Sequence, residues 1–137
     1  MQFNIGTAHL TAGDCERFRR EWVHPVPGER TLASLRRMDP VVTAVDERDG
    51  VVGFVCGFTD RVLIAYVWDL EVLPAYRDRG LEHELVERFV AACGEIYQVN
   101  AHPHAGAVEL FERVGFRRYE AGEAIAMTIQ KMELQAG

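Results

Sequence analysis

The 137-residue chain carries 15 Lys and Arg against 21 Asp and Glu, a net charge of −6, and 48% of it is hydrophobic, which fits one domain over residues 1–137 with enough apolar content for a core. The acidic balance and the lack of a dense basic block argue against nucleic-acid and anionic-membrane partners, whose phosphates need basic side chains, and suit a cationic small substrate. The longest purely apolar run, Val62–Trp68, is far short of the roughly 20 residues of a membrane helix, and the N-terminal residues lack a cationic start followed by an apolar stretch, so a cytoplasmic protein is expected.

In chain order, Gln2–Leu10 alternates weakly and reads as a strand, and Thr11-x-x-Asp14 is a capping box opening a helix through Trp22. Pro25 and Pro27 make His24–Gly28 a connection; Thr31 then caps a second helix whose Leu32, Leu35 and Met38 share a face before Pro40. Val41–Val45, a turn at Glu47–Gly50 and Val51–Phe58 form an antiparallel hairpin. The apolar run Val62–Leu73, closed by Pro74, predicts a central strand. Leu81, Leu85, Phe89 and Ala92 mark a helix from near Gly80 to Gly94, and Ile96–Ala101 is a strand. Ala107, Leu110, Phe111 and Val114 lie on one helix face, which Gly115-Phe116 ends as a Schellman turn. Arg117–Glu120 and Ala124–Met132 supply two last strands. The order β-α-α-β-β-β-α-β-α-β-β, with a parallel βαβ step over Val62–Ala101, predicts an α/β fold: a mixed sheet with helices on both faces.

Few residues suggest chemistry by themselves. Gly80 at a helix start, with Arg77 and Arg79 beside it, is a seat for a pyrophosphate, because helix N–H groups and the helix dipole favour an anion there. The plainer reading is a solvated arginine loop. Cys15, Cys56 and Cys93 are odd in number and lack a C-x-x-C pair, so buried reduced thiols are expected rather than a disulfide or zinc site. His102-Pro103-His104 supplies two ligands without a third, and no metal is expected. His83, between Glu82 and Glu84, reads as a surface helix residue, while Tyr66 and Trp68 read as core or as cover for a substrate cation.

Leu70-x-Val72-x-Pro74-x-Tyr76-Arg77-x-Arg79-Gly80 followed by Leu85, with Ala107-x-x-Leu110-Phe111-x-x-x-Gly115-Phe116 downstream, resembles the GCN5-related N-acetyltransferase (GNAT) superfamily over residues 41–132. The resemblance implies a GNAT-like fold and acetyl-CoA as cosubstrate. It also implies that Leu70, Val72, Arg77, Arg79, Gly80 and the N–H groups of Leu81, Glu82 and His83 hold the cosubstrate, with the strand pairing to the pantetheine arm. Tyr66–Leu70 is similar to members that acetylate small amines and aminoglycosides, where the aspartate faces the amine. Three positions depart from the family: Glu82 replaces a small residue, His104 a common Asn, and Phe111 a common Tyr. Phenylalanine has no proton for the leaving thiolate, although a thiol with a pKa of about 8.5 is a fair leaving group unaided. An amine of pKa about 10 needs a base before it attacks a thioester. Asp69 is the leading candidate for amine binder or base, with Glu71 and Tyr66 behind it; Asp69 and Glu71 alternate with Leu70 and Val72, so a regular strand places both carboxylates on one face, while a bulge, which many members of the family have here, would re-aim them.

These readings predict an N-acetyltransferase that passes the acetyl group of acetyl-CoA to a primary amine of a small cationic molecule by direct attack. The competing expectation, motivated by Glu82 and Phe111, is a GNAT-fold sensor or partner-binding module without transferase activity. A homodimer is left open.

Overall fold

The computed structural model describes residues 1–19, 26–120, 122–123 and 126–130. The chain runs through β1 (Gln2–Ile5), α1 (Ala12–Arg19), α2 (Gly28–Leu35), β2 (Val41–Asp46), β3 (Gly50–Thr59), β4 (Ile64–Val72), α3 (Leu81–Ala92), β5 (Gln98–Ala101) and α4 (Val108–Val114). The capping box forms as expected: the Thr11 N–H donates to Asp14 Oδ2 at 3.0 Å and the Asp14 N–H to Thr11 Oγ1 at 3.1 Å. At the far end, the Phe116 N–H reaches Phe111 O at 3.1 Å and the Gly115 N–H reaches Glu112 O at 3.0 Å, while the Phe111 and Phe116 rings meet edge to face. That is the Schellman turn with its hydrophobic contact.

The strands lie in the order β1-β2-β3-β4-β5. The first three pairings are antiparallel and β4–β5 is parallel, with α3 as the crossover. Alternation along the strands divides the core between two faces. Val42, Ala44, Val55, Ala65 and Val67 pack with Leu85, Val86 and Phe89 of α3 and with Phe111 of α4. On the other face Val41, Val51, Phe54 and Cys56 meet Cys15, Phe18, Leu32 and Leu35 of α1 and α2. Leu85, Val86 and Phe89 are wholly buried, each contributing about 1.5–3 kcal/mol by leaving water, so the N-terminus of α3 is fixed to the sheet.

Several expectations are corrected. Thr31 is no cap: α2 begins at Gly28 after Pro27, and Thr31 is buried inside it with a hydroxyl that has no hydrogen-bond partner among the described residues. The first turn is held instead from α1, whose Glu16 Oε2 accepts the Gly28 N–H at 2.6 Å, a tertiary cap that α2's own residues do not announce. Ala92 is only partly buried, whereas Val86 and Cys93 join the core. The end of the first helix at Trp22 lies outside the described residues. Of the two last strands, Arg117–Glu120 forms none, and neither do residues 126–130; the remainder of Ala124–Met132 lies outside the described residues. The Glu120 N–H donates to Glu123 Oε1 at 2.6 Å and Arg117 pairs with the same carboxylate, a local turn that draws this backbone away from extended pairing.

Candidate active site

The site begins with an irregularity in β4. Cys56 pairs with Asp69 and Gly57 with Val67, so Trp68 is an extra residue, a β-bulge, and its side chain is 64% exposed. Without it, Asp69 would share a face with Val67. With it, Tyr66, opposite Phe58, and Asp69 and Glu71, opposite Cys56 and Phe54, all fall on the α1/α2 face. The two carboxylates share a face as expected, because the bulge precedes both, and Tyr66 joins them.

Beyond the bulge β4 and β5 part. Their parallel ladder ends at Val67 opposite Ala101, which leaves one edge of residues 68–72 unpaired by a strand. The Leu73 N–H faces β3, donating to Val52 O at 2.9 Å, so by alternation the main-chain groups of Leu70 and Val72 face the open edge. Val72 O accepts Arg77 Nε–H at 3.0 Å there, and the Leu70 N–H turns to Asp69 Oδ1 at 3.0 Å. A cleft of about 700 Å³ runs along this edge.

Gly80 precedes α3 with φ +80°, a left-handed conformation that suits glycine, and a Cβ built there would meet nothing within 4 Å. Among the described residues no side chain caps the helix, so the N–H groups of its first turn face the cleft mouth. Glu82 and His83 line the cleft with Leu70, Val72, Arg77 and Gly80, and Arg113 of α4 closes the opposite wall. The shape and donors fit a diphosphate. The charge balance is less favourable, since Glu71, Asp78 and Glu82 share the lining with Arg77 and Arg113.

Other expected residues lie elsewhere. The Arg79 guanidinium rests over the Tyr76 ring, 5.2 Å from its centre, outside the cleft lining. Leu81 is buried in the core, so only its backbone is available. His104 is exposed ahead of the 3-10 turn Ala105–Ala107, and Phe111 is buried against Phe116. His83 Nδ1 lies 2.7 Å from Glu87 Oε1, one helical turn on. Tyr97 is 81% exposed, and the Tyr119 hydroxyl lies 3.0 Å from Gln98 Nε2 and 2.9 Å from Asn100 Oδ1.

The structure joins two residues that the sequence does not connect. The Tyr66 hydroxyl is hydrogen-bonded to His102 Nδ1, the rings meeting edge to face with centroids 5.2 Å apart. Burial pushes the Tyr66 phenol above its ordinary value, which keeps it protonated. The available signal was the parallel βαβ step, which brings the residue after β5 beside the middle of β4. Among the described residues, no group of three His, Cys, Asp or Glu side chains is placed to hold a metal ion, and no helix is long and apolar enough to cross a membrane.

A bulged central strand, a fork against its parallel neighbour and an uncapped helix at the end of the fork together make an open-edged cleft with an anion-binding end. The sequence model of the acetyltransferase (GNAT) family matches residues 10–116, and the chain belongs to that family, whose cosubstrate is acetyl-CoA. A comparison with curated proteins found no match. Among solved structures, a Deinococcus radiodurans R1 protein assigned as an acetyltransferase is similar with a TM-score of 0.82 and 29% identity, over 95% of this chain and 87% of that one. Glucosamine-6-phosphate N-acetyltransferase of Arabidopsis thaliana gives a TM-score of 0.70 at 15% identity, over 96% and 100% of the two chains. A Sinorhizobium meliloti phosphinothricin acetyltransferase, solved in complex with acetyl-CoA, gives 0.67 at 19% identity, over 85% of this chain and 74% of that one. The last two demonstrate likeness of fold.

Proposed function

We propose that this chain, working as one domain over residues 1–137 in the cytoplasm, transfers the acetyl group of acetyl-CoA to a primary amine of a small cationic molecule by direct attack. The observation that carries this reading is the β4–β5 fork, which leads along an open strand edge to the uncapped N-terminus of α3. The cosubstrate supplies a thioester carbonyl as electrophile. The Leu70 C=O and the Val72 N–H, which alternation turns to the open edge, suit its pantetheine amides, and the N–H groups of Leu81, Glu82 and His83, with Arg77 beside them, suit its diphosphate. Asp69 holds the cationic amine, with Glu71 and Tyr66 on the same face. Phe111 has no proton to give the departing thiolate, which leaves on the strength of its own pKa of about 8.5.

The second reading, a GNAT-fold domain without transferase activity, is favoured by one observation: Glu82 lines the cleft where the diphosphate belongs. A carboxylate about 5 Å from one phosphate charge costs about 3 kcal/mol at an effective dielectric near 20. Partial exposure of Glu82 screens that to about half, or about tenfold in affinity. Calorimetric titration with acetyl-CoA separates the readings. Micromolar binding by the wild type, tightened about tenfold in Glu82→Gly, supports the transferase. Binding by the variant alone supports the inactive domain.

A further inference from the structure

Resting on the amine-transfer reading, we propose that His102, acting through the Tyr66 hydroxyl, receives the proton that the attacking amine must lose, while Asp69 serves to hold the cation. The pair stands at the mouth of the fork. Tyr66 lies one residue before the last paired rung, Val67 opposite Ala101, and His102 lies one residue after it on the other strand. The bulge at Trp68 puts Tyr66 on the face that carries Asp69 and Glu71, so an amine held by Asp69 on that face approaches the fork past the Tyr66 hydroxyl.

The chemistry favours this route. An imidazole accepts a proton more readily at neutral pH than a carboxylate, whose ordinary pKa is about 4. Tyr66 is a conduit and not itself the base, since burial keeps its phenol protonated. As the ammonium N–H proton passes to Tyr66 Oη, the hydroxyl proton of Tyr66 passes to His102 Nδ1. Tyr66 ends as it began, the amine is left with a free electron pair, and His102 becomes an imidazolium. Because His102 is exposed, the imidazolium returns one proton to solvent.

Among the described residues, the titratable and charged surroundings come from β4 and from the chain around and after β5. Asp69 and then Glu71 follow Tyr66 along the same face of β4. Glu112, Arg117, Arg118 and Tyr119 line, with His102, a second hollow of about 680 Å³ beside β5, and His104 follows on the same loop. Tyr119 is engaged with Gln98 and Asn100, and Arg118 with Glu112 at 3.1 Å.

The test begins with a polyamine, an aminoglycoside and an arylalkylamine as acceptors for the wild type, with acetyl-CoA as donor. For the best of these, kcat is measured from about pH 6 to about pH 9 in the wild type, His102→Gln and Tyr66→Phe, and acetyl-CoA affinity is measured calorimetrically for each. The expected result is a fall in kcat of about 100-fold near neutral pH in both variants. Acetyl-CoA affinity stays unchanged, and the deficit of His102→Gln shrinks toward high pH as the amine loses its proton unaided. A His102→Gln profile parallel to that of the wild type, whether at full or at uniformly reduced rate, overturns the proton route and leaves the transferase reading intact. Acetyl-CoA binding without acetylation of any of the three amines overturns the amine-transfer reading, and the proton route with it.

Discussion

Gly57 shows how much one residue decides here. Its φ is unremarkable, but a Cβ built on it would lie 1.9 Å from Tyr66 O and 2.8 Å from Phe89 Cζ. The first contact is backbone, which cannot swing aside as a side-chain tip can. Gly57 pairs with Val67, the residue before the bulge, so the absent side chain lets β3 and β4 approach where β4 changes phase. Gly57→Ala is expected to destabilise the fold by about 1–3 kcal/mol, read as a lower denaturant midpoint at unchanged slope. An unaltered midpoint would mean that the two strands have slack at the bulge. In sequence, Gly57 is one more small residue within an apolar run. The close approach becomes visible only when Tyr66 and Phe89 are brought against it.

At the scale of elements, the β2–β3 hairpin steadies the loop that leads into α3. The Tyr76 hydroxyl, at the end of the 3-10 turn Pro74–Tyr76, donates to Asp49 Oδ2 at the hairpin tip, and Arg79 stacks on the same ring. Asp46 completes the tip by accepting the N–H groups of Arg48 and Asp49 at 2.9 and 3.0 Å. The hydrogen bond to Asp49 raises the Tyr76 phenol from 10.0 to about 12, with burial and the nearby carboxylates adding to the shift. A group whose folded pKa is raised stabilises the fold fully below its unfolded value and loses that contribution as pH rises through the folded one. Any advantage in Tm of the wild type over Tyr76→Phe is therefore expected to be constant below pH 10.0 and to vanish by about pH 12. A difference that persists above that range would mean that the hydroxyl acts through packing. The sequence supplied both partners of this contact, the Asp49-Gly50 turn and Tyr76 of the first motif. It gave no sign that they meet, because 27 residues separate them.

At the scale of the molecule, the two core layers enclose every cysteine. Cys15 and Cys56 lie in the α1/α2 layer and Cys93 in the α3 layer, each at most 2% exposed, and burial pushes the Cys93 thiol further toward its protonated form. A chromogenic disulfide reagent is expected to leave the native protein unlabelled and to titrate three thiols after unfolding. Labelling of a native thiol at the rate of a free cysteine would mean that one layer opens readily. The sequence anticipated buried, reduced cysteines from their number and scatter alone, and the two layers account for the burial.

The sequence by itself determined whatever is encoded within a few residues. The Thr11–Asp14 capping box, the Asp49-Gly50 turn, the apolar spacing of α3 and the Gly115-Phe116 terminus are all of this kind, since their partners stand two to five positions apart and periodicity reads them directly. The β2–β3 hairpin and the parallel βαβ step followed as well, because a tight turn and a single helical crossover leave little topological choice. The mixed sheet and the motif about Arg77 and Gly80 were legible for the same reason. Tertiary structure alone decided the bulge at Trp68, the fork beyond Val67, the capping of α2 by Glu16 and the meeting of Tyr66 with His102. A bulge arises where two strands must pair out of phase, and neither strand's own alternation records it. The last two of these contacts join residues 12 and 36 positions apart, which no local pattern relates until the chain has folded.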